Sequence, residues 1–136
     1  MIIIGLGKVG CNIAKAFSKF PQYDTYGIDI TKDADITIKA RKNHEEYDEH
    51  FPNLKKKFKF KNEEVCVIIC GLGNISGGSL RLLEQLKDNH LTVLYVQPDI
   101  SLVSEVQRKQ ERIVRGVLQE YARSGMLERI YLVDNQ

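Results

Sequence analysis

The chain has 136 residues, 43% of them hydrophobic and 28% charged, and 20 lysines and arginines against 18 acids leave a net charge of only +2. That balance fits one globular domain: too apolar for a disordered chain, too neutral for a basic nucleic-acid surface, so no nucleic acid is expected as a partner. No apolar run approaches the roughly 18 residues of a membrane span, and Met1 to Gly5 lack the basic start and long apolar stretch of a secretory signal.

In chain order, Met1–Ile4 reads as a short strand, apolar throughout as a strand covered on both faces should be. A glycine-rich turn follows. Cys11–Phe20 then puts Ile13, Ala14, Phe17 and Phe20 on one helical face, and Pro21 stops the helix. Thr25–Ile30 is the second strand. Between 31 and 62, Asn43–His50 is polar and helix-compatible, while Lys57–Lys61 alternates lysine with phenylalanine as a charge-guarded edge strand does. The five lysines between Leu54 and Lys61 read as a solvated edge.

Val65–Cys70 is the clearest buried strand and runs directly into a second glycine-rich loop, Gly71–Ser79. A helix from about Leu80 to Lys87 and a strand over Leu91–Val96 come next, ending at Gln97, Pro98 and Asp99. The longest helix spans 102–123, with Val103, Val106, Ile113, Val114, Val117, Leu118 and Tyr121 expected on its inner face and a stop at Ser124 and Gly125. Ile130–Val133 is the last strand. This alternation predicts an α/β fold over residues 1–136: a single three-layer Rossmann-like sandwich, with a mostly parallel sheet of about six strands between helices on both faces. The odd cysteine count, with Cys66 and Cys70 inside apolar runs, points to buried thiols in a reducing compartment, so a cytoplasmic location is expected.

In such a sheet, ligands sit beyond the carboxyl ends of the strands, where the strand order reverses. Gly5-Leu6-Gly7-Lys8-Val9-Gly10 is a complete G-x-G-x-x-G between a predicted strand and helix. Glycine suits that turn because the backbone must approach a phosphate closely, and the helix terminus adds free N–H groups and a positive dipole end. The second loop supplies Gly73, Asn74, Ser76, Gly77, Gly78 and Ser79. A dinucleotide domain needs one glycine-rich phosphate turn; two on separate strands suit a longer polyphosphate held from both sides. Amides around Gly77 and Gly78 with the Ser76 and Ser79 hydroxyls would form an anion-binding concavity, or the glycines only permit close packing of helix on sheet. In the dinucleotide reading, Asp29 stands nineteen residues after Gly10, where a carboxylate would bind the ribose hydroxyls of NAD(P). A turn cap is its alternative role.

A second reading comes from a resemblance that spans nearly the whole chain. The run from Ile4 through the glycines to Cys11 and Asn12 resembles the first phosphate loop of the tubulin/FtsZ family's nucleotide-binding domain. Lys32, Asp33 and Ala34 are similar to the family's short loop after the second strand. Gly71–Ser79 resembles its glycine-rich signature loop, with Ser76 in the place of a threonine. Pro98 follows its strand as in the sugar-contacting loop, a charged helix with Arg108, Lys109 and Gln110 comes next, and Asn135 resembles the strand-end asparagine that contacts guanine. The resemblance implies a GTP or GDP site with Mg²⁺ as accompanying ion, built from Gly5, Gly7, Lys8, Gly10, Cys11, Asn12, Asp33, Gly73, Asn74, Ser76, Gly77, Gly78, Ser79 and Asn135. It also implies action through homo-oligomer formation or docking into a larger complex.

Departures from the family matter as much. Asn74 and Ile75 stand where it has glycines, and its terminal-phosphate loop has no counterpart between Phe60 and Val65. Its central helix, second domain and water-activating acidic loop would lie after Gln136, and Asp29, Asp33 and Asp99 are single acids in different loops. No catalytic or metal-ligating residues are assigned, and hydrolysis by the chain alone is expected to be weak or absent. A third reading keeps the fold as a nucleotide-free assembly element. His44, His50 and His90 read as scattered surface residues, Tyr95 and Tyr131 as core-edge strand residues. Cys11, at a predicted helix N-terminus, is expected to have a lowered pKa.

Overall fold

The computed structural model describes residues 1–97 and 103–134. Six strands carry the chain: β1 (Ile2–Leu6), β2 (Asp24–Asp29), β3 (Ile36–Thr37), β4 (Glu64–Cys70), β5 (His90–Gln97) and β6 (Arg129–Asp134). The helices are α1 (Gly7–Phe17), α2 (His44–Glu49), α3 (Ser79–Gln85) and α4 (Glu105–Ser124), with a 3₁₀ turn over Asn74–Gly78 leading into α3. Every strand pair is parallel and the order is β3-β2-β1-β4-β5-β6. The fold is an α/β, Rossmann-like three-layer sandwich with helices on both faces of the sheet.

The central strands are apolar along their length because both of their faces are covered. On one face Ile4, Val67 and Tyr95 meet Leu82, Leu83, Val114 and Leu118 of α3 and α4. On the other, Ile3, Ile68 and Val96 meet Ala14 of α1. The change of face follows from right-handed crossovers, which put the connecting helix on opposite sides when the chain steps outward in opposite directions from β1. That makes the β1–β4 seam the switch point.

Several local expectations change. α1 begins at Gly7 rather than Cys11, so the second half of the glycine motif is already helical. The helix closes at Phe17, where the Ser18 N–H reaches the Lys15 carbonyl. Phe20 therefore leaves the helical face and lies 52% exposed, its ring edge-on to Tyr23. Lys57–Lys61 forms no strand. Its alternation comes from Phe58 and Phe60 turning inward onto the Tyr26 ring of β2, with centroids 6.2 and 6.4 Å away, while the lysines face water. The edge of the sheet there is the two-residue β3.

α4 opens on a capping box between Ser104 and Gln107 and closes at Gly125, whose φ of +87° favours glycine. Its inner line is Glu111, Val114 and Leu118, spaced i, i+3, i+7. Val106 and Ile113, expected inside, are 65% and 60% exposed, because at 100° per residue they fall well off that line. Pro98, Asp99 and the expected start of the helix at 102 lie outside the described residues. No described helix is long and apolar enough to cross a membrane.

Truncating Leu118→Ala should cost about 2–5 kcal/mol by leaving a cavity in the core, whereas Ile113→Ala should stay within about 0.5 kcal/mol. Urea unfolding of the two variants checks which face of α4 is buried.

Candidate functional site

Backbone packing sets the first turn. A Cβ on Gly5 would fall on the Gly10 carbonyl, and one on Gly10 would lie 2.8 Å from the Ile68 carbonyl of β4. α1 thus rests directly on the backbones of β1 and β4. Gly7, between them, has a φ of +78°. Leu6 at the N-cap offers no side-chain cap, and the first turn of α1 holds no acid. No acid of the helix's own first turn therefore offsets the positive end of its dipole.

β1 and β4 are hydrogen-bonded neighbours, so their two glycine turns emerge side by side. They touch: Ile75 Cγ2 lies 2.8 Å from where a Cβ on Gly7 would stand. Gly73, in the second turn, has a φ of +91° and open space around it.

Lys8, Cys11, Asn12, Asp29, Asp33 and Asp35 line a cavity of about 700 Å³ on the β2 side of α1. The fold therefore brings the first loop together with Asp33 and Asp29. Asp29 Oδ1 accepts from the Ile30 N–H at 2.8 Å, a turn cap, and Asp35 Oδ2 accepts from the Gly27 N–H at 2.7 Å. Cys11 tucks its thiol against β2, 3.4 Å from the Ile28 carbonyl, where Gly27 leaves room for it. Burial, then the neighbouring Asp29 and Asp35 carboxylates, push this thiol from 9.0 up to about 11. The lowering expected from a helix terminus is reversed because Cys11 sits a full turn inside α1 and faces the sheet.

The second loop lines a different space. Ser76, Gly77 and Ser79 face a groove of about 290 Å³ shared with His44 and with Ile113 and Val117 of α4. A Cβ on Gly77 would strike the His44 carbonyl, and one on Gly78 the Phe51 ring. Close packing against α2 and the chain after it accounts for both glycines. The Ser76 hydroxyl donates to the Gly73 carbonyl at 2.8 Å and the Ser79 hydroxyl to the Ser76 carbonyl at 2.6 Å. Both hydroxyls thus brace the turn. His44 is buried, not on the surface, and burial lowers its pKa. Its distant packing partner, the second glycine loop, is what encloses it. Asn135 lies outside the described residues.

Sequence reasoning missed a polar pair beneath the second turn. Tyr95, fully buried rather than at a core edge, donates to Glu111 Oε1 at 3.0 Å, and Arg115 Nε lies 3.6 Å from the same oxygen. Gly71 leaves the space that the Tyr95 hydroxyl occupies. Burial and the Glu111 carboxylate raise the Tyr95 pKa. The signal was present in the spacing, since Glu111 lies three and seven residues before Val114 and Leu118 on the inner line of α4.

No protein-family model, curated protein or solved structure matches the chain. Among the described residues, no group of three or more His, Cys, Asp or Glu side chains could hold a metal ion.

Because the folded state favours the neutral Cys11 thiol, its contribution to stability should be whole below about pH 9 and fade as the pH rises through 11. Alkylation of Cys11 by iodoacetamide should be slow at pH 8 and climb toward pH 11. Asp29→Asn should move that rise to lower pH, because it removes a charge that opposes the thiolate.

Proposed function

We propose that this chain binds a guanine nucleotide, GTP or GDP, with its phosphates over the paired glycine turns at the β1–β4 switch point. The observation that carries the reading is the contact of those turns at the carboxyl ends of two adjacent strands. A dinucleotide needs only the first of them. Gly7 and Gly73 supply the positive-φ positions where a backbone can approach phosphate, and the acid-free terminus of α1 supplies amides and dipole. Lys8 and Asn12 stand exposed beside it. The side chains of Ser76 and Ser79 shape the second turn from within, so its part in binding falls to the backbone and to Asn74. The tubulin/FtsZ resemblance adds Mg²⁺ with the phosphates, a guanine contact from Asn135 and a role in self-assembly.

One observation favours a second reading, an NAD(P) site: Asp29 lines the same cavity as Lys8 and Asn12. The two readings put the nucleoside on opposite sides of the switch point. NAD(P) would extend toward β2, its ribose hydroxyls donating to the Asp29 carboxylate. GTP would extend toward β6, whose last residue Asp134 precedes Asn135.

Calorimetric titration separates them. GTP and GDP should bind and NADH should not. Gly7→Val should weaken GTP binding at least about tenfold, since a side chain there meets both the positive φ and Ile75. Asp29→Asn should leave GTP binding within about twofold. GTP and GDP inert at millimolar concentration, with tight NADH binding abolished by Asp29→Asn, would transfer the site to the dinucleotide. All three inert, with no thermal shift, would leave an assembly element without nucleotide.

A further inference from the structure

The outer surface of α4 holds a residue that its own chain does not explain. Gly116 lies in the middle of a twenty-residue helix, exposed, with nothing within 4 Å of where a Cβ would stand. It adopts no positive φ and makes no room for any neighbour. Glycine there weakens the helix relative to alanine. Beside it, Ile113 is 60% exposed although apolar.

These two residues belong to one line. At 100° per residue, Lys109, Ile113, Gly116 and Glu120 fall within a sector of about 60°, turned away from the buried line of Glu111, Val114 and Leu118. Their spacing of four, three and four residues is that of a helix–helix seam. The line is also complementary to itself when reversed. A two-fold axis passing between Val114 and Arg115 sets Ile113 of one copy opposite Gly116 of a second, and Lys109 opposite Glu120. Both central contacts are then formed twice, as an isologous interface requires.

We propose that a second copy of this chain docks antiparallel along the outer line of α4. Ile113 of each copy fills the notch left by Gly116 of the other, and Lys109 of each pairs with Glu120 of the other. The missing Cβ lets the helices approach more closely than the usual 8–10 Å at the crossing, which covers the exposed isoleucine. Glu120 also pairs with Arg123 within its own helix at 2.9 Å. Both side chains are exposed, and a pair of that kind holds the carboxylate only weakly. A helix of this length spans about 30 Å, so the contact is small and the association it supports is weak. Ile113 also borders the groove of the second glycine turn, so the contact adjoins that turn, while none of its four residues belongs to either glycine turn.

Sedimentation velocity on the full chain at low salt, from about 5 to 500 μM, tests it. A monomer–dimer equilibrium is expected. Lys109→Glu and Glu120→Lys should each weaken it about tenfold by opposing like charges, and the two together should restore it to within about twofold. Within one chain these residues are about 16 Å apart along the helix, so only contact between copies yields that rescue. Gly116→Leu should abolish the dimer while raising the thermal stability of the monomer, so its effect cannot come from unfolding. A monomer throughout the range, a dimer that survives Gly116→Leu, or a charge swap without rescue would each overturn the proposal.

Discussion

In β1 and α1, two glycines remove the side chains that would otherwise hold a helix off its sheet. Gly5 and Gly10 face each other backbone to backbone, and Gly10 continues the contact onto the Ile68 carbonyl of β4. No other residue type fits, because even a methyl group at either position would lie inside the contact distance of a carbonyl. The geometry of the switch point descends from this. α1 is held tightly over the β1–β4 seam, its N-terminus is brought to the carboxyl ends of both strands, and a cavity is left between its β2 flank and the loop carrying Asp33. Gly27 extends the same device, leaving the gap in β2 that Cys11 enters.

The second glycine loop is arranged differently, with its fixed points underneath and behind. Gly71 sits over the Tyr95 hydroxyl, while Gly77 and Gly78 yield to the backbone of α2 and to Phe51. The two serine hydroxyls close on carbonyls of the same turn. Such a loop has little freedom to rearrange around a ligand, since its shape is part of the core packing. A preformed turn of this kind would meet a ligand with backbone already in position and give up little entropy on doing so. The contrast in charge is also instructive. Asp29, Asp33 and Asp35 crowd the β2 end of the cavity, which suits hydroxyl donors, whereas the acid-free terminus of α1 suits an anion.

The sheet was legible because a parallel strand covered on both faces must be apolar along its length, and Val65–Cys70 satisfies this almost residue for residue. The partner of each glycine was not. A glycine in sequence declares that something approaches closely without saying whether that is a phosphate or a protein atom. For Gly77 and Gly78 the answer lies some thirty residues upstream, at His44 and Phe51. The Cys11 thiol departs from expectation for a related reason, since the sequence pattern does not distinguish a helix's first residue from one a turn inside it. α4 failed in another way. Its apolar residues form two overlapping lines, and periodicity alone does not say which turns inward when a carboxylate, Glu111, belongs to the buried one.

That buried carboxylate bears on the outer face as well. Glu111 is held by the Tyr95 hydroxyl beneath the second glycine turn, with Arg115 beside it. Rotating α4 by one residue, about 100°, would carry Gln110 or Arg112 into the core in its place and break the bond from the Tyr95 hydroxyl to Glu111. Rotational freedom that an apolar helix face would tolerate is therefore denied to α4. Ile113 and Gly116 consequently face outward by construction, held in line by a polar contact on the opposite side of the helix. A helix face fixed in this way needs no backbone ordering when a partner arrives, so the cost of a short contact is confined to its side chains.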